Sequence, residues 1–327
     1  MIYNYCTLFD SFFLSRGLAL YNSLKRTTPN FRLYVFPFDQ KALEVLSDMK
    51  LPEITVVSQA DFETPELLRI KSQRTRGEYC WTCTPVIIDY CITRFRLSQC
   101  TYLDADLYFF SDANQLVEEM GDRSALITDH RYTPRYDQSK TSGKYCVQFM
   151  TFKNTPAGRS ILSWWKGKCL EWCFDRFEDG KFGDQKYLDE WPQRFEGVYD
   201  SPNEGAGVAP WNIQQYRIDN SRPSLVIISK KNKTEWPVVF YHFHGLKFLK
   251  DTIDLGAFLL RKEAINSIYK PYIHELQVIN KNLFDNHNVA MPIQAYATKS
   301  GVPIPIHKVL RRLLGVYNLL ANKDPFR

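Results

Sequence analysis

Apolar runs of strand length alternate with segments of helical periodicity along the first 250 residues. The run at residues 2–9 precedes a helical pattern over about 11–25, and the run at 31–39 precedes another near 40–49. Further apolar runs suited to strands lie at residues 53–59, 101–110, 125–128, 145–152 and 237–245. This alternation predicts an α/β fold in which a mostly parallel sheet is flanked by helices. The rest of the chain reads mainly as helix, which predicts a helical C-terminal extension.

One basic, polar segment, RIKSQRTRGEY at residues 69–79, interrupts the pattern and predicts a loop. Helical periodicity resumes in TPVIIDYCITRF at residues 84–95, where Pro85 suits the first turn of a helix. This helix leads directly into the apolar run at 101–110. We therefore expect a loop, a helix and a buried strand in that order.

The run TYLDADLYFF at residues 101–110 predicts a buried strand that carries Asp104 and Asp106 on one face. Carboxylates two residues apart on a strand lie roughly 6 to 7 Å from each other. At an effective dielectric near 20 they repel by roughly 2 to 3 kcal/mol. A hard divalent cation, Mn²⁺ or Mg²⁺, would relieve that repulsion and prefers oxygen ligands. Alternatively, the two aspartates are solvated at a strand end or pair with Arg or Lys.

A second polar cluster lies in FYHFHGLK at residues 240–247. His242 and His244 share one face of an extended strand, Gly245 permits a close backbone approach, and Lys247 offers a point charge. This combination suits a metal-bound diphosphate. The alternative is that the histidines are core residues whose hydrogen bonds are satisfied.

A third cluster lies in KFGDQKYLDEWP at residues 181–192, where Asp184 and Gln185 follow a glycine. An acid and an amide beside the aromatic Trp191 suit the hydroxyls of a carbohydrate. The simpler alternative is that Asp184 caps a helix.

Composition narrows the class of protein only in part. The chain has 327 residues, 44% hydrophobic and 24% charged, which is typical of a globular protein with a sizeable core. A net charge of +6 without a basic stripe predicts no nucleic-acid partner. No basic leader region and no apolar run of about 18 residues is seen, so we expect a cytoplasmic protein. The eight cysteines read as reduced thiols, and the spacing of CWTC and CLEWC matches no zinc ribbon or finger.

Taken in order, these three clusters resemble motifs of GT-A glycosyltransferases, in particular the retaining family 8 that includes glycogenin and bacterial lipopolysaccharide galactosyl- and glucosyltransferases. YLDAD matches the family's YLDxD, DQKYLD matches DQxxLN, and HFHGLKFL matches HFxGxxKPW in part. The resemblance implies a Rossmann-like GT-A catalytic domain over residues 1–250, which binds the nucleotide sugar, and an appendage at 251–327. It implies a metal-dependent hexosyltransferase that moves a sugar from a nucleoside diphosphate, with UDP favoured, to a glycan or glycolipid hydroxyl with retention.

The resemblance also implies roles for individual residues. Asp104, Asp106 and His242 would bind the metal, Mn²⁺ or Mg²⁺. The catalytic pair beside the anomeric carbon would be Asp184 and Gln185. The residues that contact the sugar-nucleotide donor would be Asp10, Phe13, Asp104 and Lys247. Where the family has a donor-binding asparagine, this chain has Cys146, which leaves Gln148 as its substitute. The family's YxRL arginine has no counterpart, and Arg74 or Arg76 is the candidate replacement.

The C-terminal segment IHKVLRRLLGVYNLLA, residues 306–321, has the pattern of a basic amphipathic helix. Apolar positions at helical spacing are Ile306, Val309, Leu310, Leu313, Leu314, Tyr317 and Leu320, with Lys308, Arg311 and Arg312 on another side. Such a helix can lie on an anionic membrane surface, and membrane association would suit a lipid-linked glycan acceptor. The alternative is that it packs on its own domain.

Two other functions compete with sugar transfer. A sugar nucleotidyltransferase would usually show a glycine-rich loop after the first strand, but YCTLFDSFF contains no glycine. A non-catalytic carbohydrate-binding or scaffold protein would have no need of a complete metal site.

Overall fold

The computed structural model describes residues 2–296, 298 and 302–322. Its strands are β1 (Tyr3–Phe9), β2 (Phe31–Pro37), β3 (Ile54–Val56), β4 (Gln99–Leu103), β5 (Leu107–Phe109), β6 (Ala125–Asp129), β7 (Tyr145–Lys153), β8 (Val198–Asp200), β9 (Ala206–Val208), β10 (Tyr216–Asp219), β11 (Val226–Ser229), β12 (Glu235–Pro237), β13 (Phe240–His242), β14 (Lys247–Phe248), β15 (Thr252–Asp254) and β16 (Leu319–Ala321). Its helices are α1 (Leu14–Thr27), α2 (Gln40–Met49), α3 (Gln59–Phe62), α4 (Pro65–Lys71), α5 (Arg76–Arg94), α6 (Asn114–Glu119), α7 (Pro156–Glu171), α8 (Trp191–Arg194), α9 (Lys262–Ala264), α10 (Lys270–His287) and α11 (Ile304–Leu313). Short 3₁₀ turns span Pro134–Tyr136, Lys186–Glu190 and Ile213–Gln215, and a π-helical turn at Ile265–Tyr269 joins α9 to α10.

The central sheet has seven strands in the order β3-β2-β1-β4-β7-β6-β8. The pairs β1/β2, β1/β4, β2/β3 and β6/β8 are parallel, whereas β7 is antiparallel to both of its neighbours. The predicted α/β architecture, a largely parallel sheet flanked by helices, is confirmed.

Helices cover both faces of this sheet, which is why its strands read as continuous apolar runs. On β1, Tyr5 points into the core that includes α1 and α10, and Cys6 points into the core beneath α5 and α7. On β4, Leu103 and Tyr102 divide between the two cores in the same way. Successive side chains on a strand point to opposite faces, so both cores form from the same strands.

The loop predicted for residues 69–79 is wrong, because helices occupy most of that segment. Thr75 and Glu78 form a capping box in which the Glu78 carboxylate accepts from the Thr75 backbone at 2.7 Å. This box begins α5 at Arg76, so Pro85 lies in the interior of the helix and not in its first turn.

The continuous strand predicted for residues 101–110 is also wrong. β4 ends at Leu103, and the backbone turns through Asp104–Asp106, with the Leu107 amide donating to the Asp104 carbonyl at 3.2 Å. β5 then belongs to a different sheet, in the order β5-β13-β9. The two aspartates therefore lie in a tight turn between two sheets.

The C-terminal region packs directly on the core. Tyr272 of α10 stacks on Phe243 with ring centroids 3.7 Å apart, and Arg26 of α1 pairs with Glu275 at 3.0 Å. The region also holds a small sheet in the order β14-β15-β16. In the described part of the chain, no helix combines the length and the apolar character that crossing a bilayer requires.

The helix predicted over residues 306–321 is right for its first half and wrong beyond it. α11 ends at Leu313, and Gly315 adopts φ +70°, a backbone conformation that ends helices. The chain then enters β16, which pairs with β15.

Candidate metal centre

Backbone pairing between distant segments brings Asp104, Asp106 and His242 together. β13 runs antiparallel to β5, with His242 opposite Leu107. Beyond this pair the Phe243 amide donates to the Asp106 carbonyl at 3.0 Å. The Asp104 amide in turn donates to the carbonyl of Gln148 on β7 at 3.0 Å. The turn after β4 is thus held from two sides.

The three side chains point at a common centre. One carboxylate or imidazole atom from each residue lies within 4.8 Å of the others. His242 Nε2 is 3.2 Å from Asp106 Oδ1 and 3.9 Å from Asp104 Oδ2. The Asp104 side chain keeps 29% of its surface exposed and Asp106 17%, whereas His242 keeps 8%. Two hard oxygens and an imidazole with one accessible side match a site for a hard divalent ion that keeps open positions.

Gln148 fixes which nitrogen of His242 faces the carboxylates. Its side chain is fully buried, and Oε1 lies 2.9 Å from His242 Nδ1. An amide oxygen only accepts, so Nδ1 must carry the proton, and in the neutral ring Nε2 is then the nitrogen that could bind a metal. Gln148 Nε2 donates to Thr128 Oγ1 at 3.3 Å. Both ends of this amide are therefore engaged within the protein.

Gln148→Leu is expected to weaken Mn²⁺ affinity by about 10- to 100-fold, because His242 loses the acceptor that orients its ring. Isothermal titration with MnCl₂ measures the change. Thr128→Val is the matched control, since it removes the other partner of Gln148 and leaves the contact to His242 in place. Equal affinities for Gln148→Leu and the unmodified protein would contradict the positioning role.

Burial disfavours the ionised forms of Asp104 and Asp106, and the neighbouring His242 favours them. Burial raises the pKa of Asp104 to about 7, which His242 opposes and Asp106 reinforces. Burial also acts to raise the pKa of Asp106, but the facing His242 lowers it to about 2. Burial acts to lower the pKa of His242, yet Asp106 holds it well above its usual range. Positive charge next to the two carboxylates therefore stabilises their ionised forms, and a divalent cation would supply such charge.

Cys146 forms one wall of the site, and its position beside two histidines could not be read from the sequence. Burial alone would raise the pKa of its thiol, but His130 and His242 lower it to about 6. Trp211 packs edge-on against the rings of His242 and His244, with centroids 5.3 and 5.6 Å away. Sequence reasoning missed His130 and Trp211, since both lie in loop segments without a recognisable motif.

Asp184 lies on the Asp104 side of the cluster. Only 5% of its surface is exposed, and burial followed by the charge of Asp104 raises its pKa well above the usual range. The Tyr102 hydroxyl donates to Asp104 at 2.9 Å, and burial together with Asp104 and Asp184 raises the pKa of this tyrosine. Gln185 Nε2 donates to the Ser142 carbonyl at 2.7 Å, so its amide nitrogen is engaged with the neighbouring loop.

Asp10 and Phe13 lie just beyond the carboxyl end of β1. Asp10 pairs with Arg76 at 2.7 Å, and the Arg16 guanidinium lies 4.8 Å from the centre of the Phe13 ring. Arg16 is buried and donates to the Leu246 carbonyl at 2.9 Å. Its position on an otherwise apolar helix face was the available signal for a polar role, and sequence reasoning missed it.

The predicted cations Arg74 and Lys247 lie in two other segments of the fold. Arg74 stacks on Phe174, 3.8 Å from the ring centre. Lys247 lies in β14 with an exposed side chain, after the turn at Gly245, whose φ is +79°.

A second group of potential ligands among the described residues consists of Cys6, Cys91 and Cys100. These thiols come from β1, α5 and β4 and are fully buried in the core beneath α5. Their surroundings are apolar, so they fill core volume.

Comparison with known proteins finds two related sequences and several distantly similar structures. No family model matches the chain. Among solved structures, GlyE of Streptococcus pneumoniae TIGR4, a glycosyltransferase, is 14% identical, with a TM-score of 0.49 and coverage of 91% of this chain and 67% of that one. Mouse xyloside xylosyltransferase 1 is 14% identical, with a TM-score of 0.47 and coverage of 75% and 98%. The bifunctional glycosyltransferase WbbM is 11% identical, with a TM-score of 0.44, and the match spans 64% of this chain and 40% of WbbM. With TM-scores below 0.5, these likenesses assign no activity.

Two proteins of Bacillus subtilis strain 168 match over most of their length, and both are described as uncharacterized. YfnD is 30% identical over 310 residues, which cover 92% of this chain and 96% of YfnD. YfnF is 30% identical over 280 residues, which cover 83% of this chain and 89% of YfnF. The chain therefore belongs to the family of YfnD and YfnF.

Proposed function

We propose that this protein is a metal-dependent glycosyltransferase that moves a hexose from a nucleoside diphosphate, with UDP favoured, to a hydroxyl of a glycan or glycolipid. The observation that carries the proposal is the convergence of Asp104, Asp106 and His242 within 4.8 Å. Asp104 and Asp106 lie just beyond the carboxyl end of β4 in a largely parallel sheet, where α/β proteins bind their ligands, and His242 is the last residue of β13.

In this proposal Asp104, Asp106 and His242 would hold Mn²⁺ or Mg²⁺. When bound, the ion supplies Lewis-acid stabilisation for the negative charge that develops on the departing diphosphate. Gln148 would position His242, because its side-chain oxygen holds the imidazole in the tautomer that can bind a metal. The sequence alone suggested that Gln148 binds the donor sugar. Both its amide oxygen and its amide nitrogen already have partners within the protein, which favours a positioning role.

The remaining roles follow the arrangement around the centre. Asp10 and Phe13, beyond β1, would contact the nucleotide base, and Lys247 would contact the diphosphate. Asp184 and Gln185 would face the anomeric carbon of the sugar, and retention of configuration is the proposed outcome. Arg76 pairs with both Asp10 and Asp39, at 2.7 and 2.9 Å, and so links Asp10 to the start of α2.

A screen of nucleotide sugars for Mn²⁺-dependent hydrolysis tests the proposal. UDP-glucose or UDP-galactose is expected to be hydrolysed, and the activity should disappear in Asp106→Asn. Exposed Asp122 provides a matched control, since Asp122→Asn should retain full activity. If no nucleotide sugar is turned over in the presence of Mn²⁺, the proposal is overturned in favour of a non-catalytic binding protein.

A further inference from the structure

The C-terminal helix α11 turns its apolar side toward solvent. Ile306, Val309, Leu310 and Leu313 follow the i, i+3, i+4, i+7 spacing of one helix face. Between 43% and 78% of the surface of each is exposed, as is 57% of the next residue, Leu314. A helix with this pattern normally packs that face against a core, so these five side chains form an unpartnered apolar face in the described structure.

The opposite side of α11 fixes this orientation. Arg311 is 4% exposed and binds both carboxylate oxygens of Asp254, at 2.7 and 2.8 Å. It also donates to the carbonyls of Gly256 and Val316, at 2.8 and 3.1 Å. His307 Nδ1 lies 2.9 Å from the Tyr296 hydroxyl. Rotation of the helix to bury its leucines would pull Arg311 out of a complete set of partners, so the outward apolar face is a built feature of the fold.

The charged side chains of α11 and of the sequence segments on either side of it have one sign. The sequence has no Asp or Glu between Asp285 and Asp324. On α11 itself, Arg312 lies beside the apolar stripe, and Lys308 lies nearer the Arg311 side, with Nζ 5.1 Å from the centre of the Tyr296 ring. Arg135 donates to the Leu314 carbonyl at 3.4 Å. A partner for this surface must therefore accept apolar side chains and carry negative charge.

We propose that α11 docks on the surface of an anionic lipid bilayer, with its apolar face among the acyl chains and Arg312 among the headgroups. A helix of ten residues is about 15 Å long, half the thickness of a bilayer core, so it lies along the surface. A second copy of this chain fits less well, because a two-fold contact would oppose basic residues to basic residues with no acidic partner on α11.

Co-sedimentation of the full chain with lipid vesicles tests this proposal, and it requires neither metal nor sugar nucleotide. The protein is expected to bind mixed phosphatidylcholine–phosphatidylglycerol vesicles more tightly than pure phosphatidylcholine vesicles. The double variant Leu310→Ser/Leu313→Ser should lose about tenfold or more in affinity, since it removes apolar area from the docking face. Arg312→Glu should weaken binding to the anionic vesicles alone.

Leu68→Ser is the matched control, because Leu68 is a 53% exposed leucine that belongs to α4 and not to α11. It should bind vesicles as the unmodified protein does. Unchanged binding by the double serine variant would overturn the proposal. So would the absence of vesicle binding together with a dimer, seen by sedimentation velocity, that the double variant dissociates. Loss of vesicle binding has no bearing on the metal site, so the two proposals fail independently.

Discussion

Asp104→Asn is expected to lower Mn²⁺-dependent turnover of the sugar nucleotide by at least about 100-fold. The variant removes one of two carboxylates from the metal, and metal stabilisation of a leaving group is worth several kcal/mol, with about 1.4 kcal/mol for each factor of ten. Steady-state kinetics with and without Mn²⁺ measure the loss.

The same substitution should leave the fold intact. Asparagine keeps the shape of the side chain and can still accept the hydrogen bond from Tyr102. It also removes the repulsion between Asp104 and Asp106, so the midpoint of thermal unfolding should not fall. Exposed Asp122→Asn is again the control. Full Mn²⁺-dependent activity in Asp104→Asn would contradict the assigned ligand set.

Arg311→Met is expected to destabilise the C-terminal segment by about 3 to 5 kcal/mol, because it leaves the Asp254 carboxylate buried without its partner. The side chains of this pair are only 5% and 13% exposed, so solvent screens the interaction weakly. Hydrogen exchange over residues 304–321 should speed up first, since α11 and β16 both contact β15 through this region. Denaturant unfolding gives the magnitude.

Two further variants make the test specific. Arg312→Met changes a neighbouring, exposed arginine that stacks on Tyr317 at 4.2 Å and should cost less than about 0.5 kcal/mol. The double variant Asp254→Asn/Arg311→Met should be more stable than Arg311→Met alone, because no unpaired charge remains. If Arg311→Met and Arg312→Met lose equal stability, Arg311 does not anchor the helix.

The architecture of the fold was predictable because burial on both faces leaves a strong mark on sequence. Strands such as β1 and β7 are continuous apolar runs, and the helices between them have clear periodicity. Local chemistry was harder to predict. The polar composition of residues 69–79 is typical of a loop, but the capping box of Thr75 and Glu78 begins a helix there. The turn at Asp104–Asp106 is set by pairing with β13, more than 100 residues away, which no local pattern reveals.

Residues of the candidate site were predictable from the sequence only where they belong to a recognisable motif. Asp104, Asp106 and His242 were identified in the sequence, and the structure places them together. The role of Gln148 was not predictable, because it depends on which of its atoms meets His242 across the sheet. The environment of Cys146 likewise depends on His130, which comes from a separate loop. For α11 the sequence showed an amphipathic helix, but only the buried Arg311 shows which face is outside.

Calorimetric titration of the protein with UDP, with Mn²⁺ present and after its removal with a chelator, tests the central claim most directly. The account predicts saturable UDP binding with Mn²⁺, loss of that binding with the chelator, and no Mn²⁺ effect in Asp106→Asn. UDP binding of equal strength with and without Mn²⁺, or no UDP binding in either condition, would contradict it.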